Sequence, residues 1–309
     1  MKAMIVEKFG GPEVLHVAEL PEPHPGAGQV RVRIKAVGVN PFETKVRCGA
    51  MEAMFHTALP AILGSEIAGV VDEVGAGAGF ALGDEVFGWA ETGAYAEFAL
   101  AKTLARKPPA LAWDAAVALP VAGETAERGL TLLAVAAGET VLIHGGASAV
   151  GAIAVQLAVQ RGATVIATAS ESNHDYLRSL GARPLTYGAG LVARVAALEL
   201  AQKPNAPFGI DAVFDVTGKG ALPDSLALRG SNDRVLTIAD PDAGKLGVRF
   251  SSGTAKDRSA EALAGLAAKV VAGTLLVTIA AHFPLADTAA AHAMSAKAHH
   301  RGKIVLVVS

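Results

Sequence analysis

Residues 141–170 read VLIHGGASAVGAIAVQLAVQRGATVIATAS, and few folds admit such a stretch. A short apolar run at 141–143 meets a glycine-rich turn at 145–151. Ile153, Leu157 and Ala158 then fall at helical spacing, and a second apolar run occupies 164–169. The pattern is strand, helix, strand: two parallel strands of one sheet, joined by a helix whose first N–H groups point beyond the end of the first strand. Those unpaired donors, with the positive end of the helix dipole, suit a pyrophosphate. The dinucleotide fingerprint asks for glycine at the first, third and sixth positions of the turn. Gly146 and Gly151 meet it, and Ser148 replaces the middle glycine. Serine is small enough for the backbone to approach a phosphate, and its hydroxyl offers a donor. Gly146, Ala147, Ser148, Ala149, Val150 and Gly151 are therefore the expected phosphate cradle. The competing reading is a plain strand–helix–strand core whose glycines only permit close packing.

The rest of the chain excludes several classes. At 309 residues it is long enough for two domains. A net charge of −2 argues against binding nucleic acid through charge. The hydrophobic content of 51% with 18% charged residues is that of a globular, enzyme-like chain. The longest apolar run, residues 270–281, is too short to span a membrane. Residues 1–6 run straight into Glu7 and Lys8, without the architecture of a secretory signal. The single cysteine, Cys48, excludes an internal disulfide and a thiolate zinc cluster. A cytoplasmic protein is expected.

Before residue 108 the sequence is rich in strands and glycines. Residues 29–39 alternate, with Val30, Val32 and Ile34 on one face and Arg31, Arg33 and Lys35 on the other, which predicts a half-buried strand. It leads to Asn40 and Pro41, with a short helix expected over 42–47. Strands are also expected over 2–7, 14–18, 67–74 and 93–100, giving a partly open barrel. From 113 the pattern alternates helices (113–119, 123–135, 174–180, 189–200, 259–271) with strands (185–187, 212–216, 234–239), which predicts a doubly wound parallel sheet. A final strand is expected over 303–308. The fold class is α/β.

In this order and spacing, several segments resemble the medium-chain dehydrogenase/reductases, specifically the zinc-independent, zeta-crystallin-like quinone oxidoreductases. They are VRVRIKAVGVNPFETKVRCG (30–49), LGSEIAGVVDEVGAG (63–77), GDEVFG (83–88), GAYAEFA (93–99), LPVAGETA (119–126), IHGGASAVG (143–151) and HHRGKIVLVV (299–308). The resemblance implies a GroES-like catalytic domain at 1–112 and 283–309, a Rossmann cofactor domain at 113–282, and a site in the cleft between them. Zinc-dependent relatives carry cysteine where this chain has Asn40 and histidine where it has Ser65, and they use a four-cysteine lobe that one cysteine cannot form. No catalytic metal is expected. Nine histidines do not restore one. His299 and His300 read as a solvated turn, and His144 as a hydrogen-bonded histidine packed beside the glycine turn.

Without a metal there is no Lewis acid for alcohol oxidation. A quinone or conjugated enone spreads the incoming charge over its own π-system, so the protein has mainly to position the reactants. For the cofactor, the second strand ends at Ala169 and Ser170 without the acid that binds the ribose 2′-hydroxyl of NAD, although Glu171 follows. Ser170, Asn173 and His174, with Arg178 nearby, suit a 2′-phosphate, and Tyr187 matches a family tyrosine near that phosphate. NADPH is the expected cofactor. Ser170 or Ser172 also reads as a helix N-cap.

The resemblance places Thr125 near the nicotinamide, where it also reads as an ordinary helix-start threonine. Asn40 is a candidate donor to the acceptor oxygen, or a turn residue before Pro41. Lys45, where many quinone reductases have tyrosine, is a candidate positive charge beside a developing enolate, or a solvated lysine. Cys48 reads as a passive buried residue or, if exposed, as a thiol that could react with quinones. Three functions follow: reduction of quinones; reduction of the C=C bond of enones and alkenals; and, in another class, non-catalytic NADPH binding in a structural or regulatory protein. Partners would be small molecules, with no nucleic acid and no membrane. Relatives are commonly homodimers that pair Rossmann sheet edges, and residues 273–281 are apolar and β-prone enough for such an edge, or equally for an internal strand.

Overall fold

The computed structural model describes residues 1–297 and 300–309, so His299 lies outside the described residues. The chain forms two compact units: Met1–Val121 with Arg258–Ser309 (unit 1), and Ala122–Asp257 (unit 2).

Unit 1 opens with β1 (Lys2–Val6), β2 (Leu15–Glu19), β3 (Val30–Val39), α1 (Pro41–Arg47), β4 (Ala61–Ile62), β5 (Glu66–Val74), β6 (Glu85–Trp89), β7 (Phe98–Ala101), β8 (Leu104–Arg106) and α2 (Trp113–Val117). α3 (Pro120–Leu132) leads into unit 2, which holds β9 (Thr140–His144), α4 (Ala149–Gln160), β10 (Thr164–Ala169), α5 (His174–Ser179), β11 (Arg183–Thr186), α6 (Leu191–Ala196), β12 (Ala212–Asp215), α7 (Leu222–Arg229), β13 (Val235–Thr237) and β14 (Arg249–Phe250). The chain then returns to unit 1 with α8 (Ala260–Val271), β15 (Ile279–Pro284), α9 (Thr288–Lys297) and β16 (Lys303–Val307).

Unit 2 is the doubly wound α/β layer. Its sheet is parallel in the order β11-β10-β9-β12-β13-β14. Counted from β9 this is 3-2-1-4-5-6, the Rossmann order, whose reversal lies between β9 and β12. β9, β10 and β12 are almost wholly buried, as strands covered by helices on both faces must be.

Unit 1 is β-rich, as expected. β3 pairs antiparallel with β5, β7 and β16, in a sheet ordered β15-β16-β3-β5-β6-β8. Its first half alternates as the sequence predicts, with Val30, Val32 and Ile34 in the core. Arg31 on the other face is held by Asp72 at 3.0 Å and Glu73 at 2.9 Å. From Ala36 to Val39 burial covers both faces. The expected strand over 93–100 begins only at Phe98. Gly93 is left-handed (φ +84°), and the N–H groups of Ala94 and Tyr95 both bond to Leu63 O, so residues 93–97 bend across the β4 side.

The segment 273–281 is not an edge of the Rossmann sheet, which corrects the expectation above. Gly273 (φ +71°) ends α8, and the following strand, β15, pairs parallel with β16 at the edge of the unit 1 sheet. The edges of the Rossmann sheet are β11 and the two-residue β14. The return to unit 1 comes at Arg258 rather than 283, because α8 packs on β8. Within α8, a Cβ on Gly265 would meet nothing within 4 Å. Gly265→Ala is therefore expected to stabilise the helix by about 0.5–1 kcal/mol, measured by chemical denaturation.

Candidate active site

In unit 2, β9 delivers His144 to the glycine turn. The N–H groups of Gly145 and Gly146 bond back to Thr168 O at 3.1 and 3.0 Å, which folds the turn over the end of β10. Gly145 is left-handed (φ +78°). A Cβ on Gly146 would lie 2.8 Å from that of Ala167, and one on Gly151 would lie 2.1 Å from Gly145 O. The two glycines thus let turn, strand and helix touch. Ser148 is the N-cap of α4: its hydroxyl donates to Gly145 O at 2.8 Å and accepts from Gly151 N at 3.1 Å. That hydroxyl proton, expected to face a phosphate, instead holds the turn. The first-turn N–H groups of Ala149 and Val150 have no intrahelical acceptor, and Ala147 lies buried beside them.

His144 is a satisfied core histidine, as read from sequence. It meets Thr168 Oγ1 at 3.3 Å and Ser225 Oγ at 3.0 Å, and burial lowers its pKa. Beside it at the β12 end, Asp215 is fully buried and accepts from Thr217 N and Oγ1, Gly218 N and Thr237 Oγ1 at 2.8–3.2 Å.

Beyond β10, Ser170 occupies a cap position but makes no capping bond. Its hydroxyl lies 3.1 Å from Ser172 Oγ and accepts from Asn173 Nδ2 at 2.9 Å. His174 opens α5, and its buried Nε2 has no partner among the described residues. Arg178 is exposed and paired with Asp175. Tyr187 is half exposed on the loop after β11. Arg194 donates to the carbonyls of Thr186, Gly188 and Ala189 at 2.8–3.0 Å and so fixes that loop. Thr125 is buried in α3, next to Arg128, which pairs with Glu124 at 2.6 Å.

Unit 1 holds a buried polar cluster. The sequence reading found only Asn40 and Ser65 of it. Asn40 is 8% exposed, Glu43 2%, Glu66 0% and Lys303 2%. Lys303 Nζ donates to Glu66 Oε1 and to Asn40 Oδ1. Asn40 Nδ2 donates to Glu66 Oε1 at 2.9 Å and Glu43 Oε1 at 3.2 Å. Ser65 Oγ donates to Glu43 Oε1 at 2.7 Å, and Asn40 N to Glu43 Oε2 at 2.8 Å. Val121 N closes the second oxygen of Glu66 at 2.8 Å. Gly38 makes room: a Cβ there would lie 2.1 Å from Glu66 Oε1 and 2.6 Å from Lys303 Cε.

Both Asn40 N–H groups are engaged inside this cluster, so none is left to donate to an acceptor oxygen. Two carboxyl groups share one ammonium. Burial, with Glu66 adding, raises the Glu43 carboxyl above the ordinary range, against the pull of Lys303, Ser65 and Asn40. The signal available in the sequence was chemical: an acid or a lysine inside an apolar run must find a partner if it is buried.

Ser65 and Glu43 also line a pocket of about 220 Å³, with Phe42, Val46 and Leu63 as apolar wall and Arg258 at its side. Arg258 stacks over Trp89 at 5.7 Å. Lys45 is exposed on α1 and does not line this pocket. Cys48 is exposed rather than buried, because it follows the last turn of α1. His300 is half-buried, not a solvated turn, and burial lowers its pKa.

A family model described as alcohol dehydrogenase GroES-like domain matches residues 26–109, and one described as zinc-binding dehydrogenase matches 187–306. Human quinone oxidoreductase is 32% identical over 94% of this chain and 93% of its own length. The chloroplastic NADPH-dependent alkenal/one oxidoreductase of Arabidopsis thaliana is 35% identical over 59% of this chain and 51% of its own. A mycobacterial protein solved in complex with NADPH superposes with a TM-score of 0.87 at 28% identity, over 99% of this chain and 100% of its own. A Rossmann sheet with its glycine turn, a β-rich unit around the Asn40 cluster and relatives matched along nearly the whole length agree: the chain belongs to the medium-chain dehydrogenase/reductases, in their quinone oxidoreductase branch.

Proposed function

We propose that this protein is an NADPH-dependent, zinc-independent reductase that delivers hydride to a quinone, with unit 2 as the cofactor-binding domain and unit 1 as the catalytic domain. The Asn40–Glu43–Glu66–Lys303 cluster carries the reading. At the position of a zinc ligand, the Asn40 carbonyl oxygen accepts from an ammonium, and Ser65 offers only a hydroxyl already bonded to Glu43. This donor set does not fit a zinc ion. Among the described residues, no three His, Cys, Asp or Glu groups gather to hold a metal.

NADPH, when bound, supplies the hydride. The unit 2 turn would hold its pyrophosphate, since the first-turn N–H groups of Ala149 and Val150 in α4 have no intrahelical acceptor. Ser170, Asn173, His174 and Tyr187 would surround the adenosine 2′-phosphate, with Ser170 in place of a carboxylate directly after β10. Thr125 would border the nicotinamide.

The unit 1 pocket takes the acceptor. Phe42 and Val46 suit a flat apolar ring, and they exclude water around it. With Glu43 protonated, its carboxyl donates to Ser65 Oγ, which frees the Ser65 hydrogen for the acceptor oxygen. As hydride arrives, that hydrogen passes to the reduced acceptor and the Glu43 proton replaces it. Once the reduced acceptor has left, water entering the pocket returns a proton to Glu43, so one hydride and one proton reach each acceptor.

The test is steady-state turnover of NADPH or NADH against a panel of quinones and enones. Fastest turnover is expected with NADPH and a quinone. Because the acid form of Glu43 donates, kcat should fall as pH rises through its raised pKa. Glu43→Gln should flatten that limb, and Ser65→Ala should lower kcat by roughly 10²-fold. A similarity to the alkenal/one reductase favours a second reading, C=C reduction, and faster turnover of enones would select it. NADPH binding without any turnover would leave a non-catalytic binding protein. A homodimer joined through the β14 edge belongs to this reading, and light scattering that shows only monomer removes it.

A further inference from the structure

At the last residue of α1, unit 1 buries a charge with no counterpart. Arg47 is 5% exposed, and its Nε and Nη1 have no partner among the described residues. α9 packs against α1 and brings His292 and Ser295, one turn apart on its buried face. His292 is fully buried with Nδ1 unpartnered, and Ser295 is 3% exposed with Oγ unpartnered.

The tautomer of His292 follows from Tyr95. Burial pushes the Tyr95 phenol well up, so it keeps its proton. The one side chain within hydrogen-bond reach of that hydroxyl, among the described residues, is His292 Nε2 at 2.9 Å. Nε2 therefore accepts and Nδ1 carries the ring hydrogen. Burial, with Arg47 adding to it, lowers His292 to about 4, so the ring is neutral near pH 7. The unpartnered atoms are then Arg47 Nε–H and Nη1–H, His292 Nδ1–H and the Ser295 hydroxyl. Three are donors only, and the fourth is the sole group able to accept.

Among these four groups a water finds one acceptor, Ser295 Oγ, for its two hydrogens. An anion has no hydrogens to place and answers the guanidinium charge as well. The carboxylate acting on Arg47 from outside is Glu13, which is exposed and bonded to Gly11 N at 3.0 Å. Exposed Cys48 and the buried Tyr95 phenol are the other acidic groups acting on it. None makes a hydrogen bond to the guanidinium. Four donor groups are fewer than the four oxygens of a phosphate can accept from, so the fit is to a small spherical ion.

We propose that a halide ion, chloride in solution, is held between Arg47, His292 and Ser295. It fastens α9 to the end of α1 opposite the Asn40–Glu43 cluster.

The test is melting of the full chain in sodium chloride, sodium bromide and sodium gluconate at equal ionic strength, with crystals grown in bromide. Tm should rise saturably with either halide, by roughly 3 °C over gluconate. Arg47→Met should abolish the rise. Ser295→Ala, a milder change, should weaken the halide dependence several-fold if Arg47→Met does not fold. Bromide should give an anomalous peak within contact of Arg47 Nε and His292 Nδ1. Equal melting in all three salts overturns the proposal. So does ordered water at the site without an anomalous peak. A peak without halide-dependent melting marks an adventitious ion only, and overturns it too.

Discussion

Lys303→Met will lower the stability of unit 1 by about 3–5 kcal/mol, the usual result of removing one partner from a buried ion pair. The ammonium it removes is the one cation of the cluster, and Glu66 is fully buried beside it. What remains is a carboxylate without a counter-ion, a second carboxyl from Glu43 within its field, and an Asn40 carbonyl without a donor. Adding Glu66→Gln should restore much of the loss, because the amide oxygen can still accept from Val121 N while the unpaired charge is gone. Chemical denaturation of the single and double variants gives the coupling directly. A loss under about 1 kcal/mol for Lys303→Met would mean that the pair is open to water rather than closed.

The second large effect is expected from Gly151→Ala. The added methyl would stand 2.1 Å from Gly145 O, and that contact is with backbone, which no rotamer change relieves. Either the turn opens or α4 starts later. Both move the N–H groups of Ala149 and Val150 that would meet the pyrophosphate. Overpacking of this kind costs about 1–3 kcal/mol, or roughly 10–100-fold in NADPH affinity. Fluorescence titration with NADPH reads the change, and Gly244→Ala is the control, because a Cβ there meets nothing within 4 Å. Unchanged affinity in Gly151→Ala would show that the turn is not the phosphate cradle.

Much of unit 2 was legible from sequence because its signals are local. The apolar runs at β9 and β10, the glycines between them and the capping Gly181 after α5 each act within a few residues. α7 and α9 were not legible. α7 is eight residues long and starts with Leu222–Pro223, and α9 reads TAAAHAMSAK, where alanines blur the contrast between faces. The site divides in the same way. Asn40 and Ser65 stood out by their position, but Lys303 meets Asn40 across 263 residues of chain, and nothing local to KIVLV says which acid its ammonium will find. Cys48 and Lys45 were misjudged or left open for a related reason: on a seven-residue helix, burial is decided by what packs against it, here α9.

The place of β16 in its sheet bears on how the protein emerges from the ribosome. β16 lies between β15 and β3, and it brings Lys303 to Glu66. Unit 2 has all its strands once residue 250 has been made, and it can fold while synthesis continues. Unit 1 starts first and finishes last. Until residues 303–307 leave the exit tunnel, β3 has an open edge and Glu66 no cation, so the nascent chain must hold its N-terminal sheet incomplete for the whole time that unit 2 is being made.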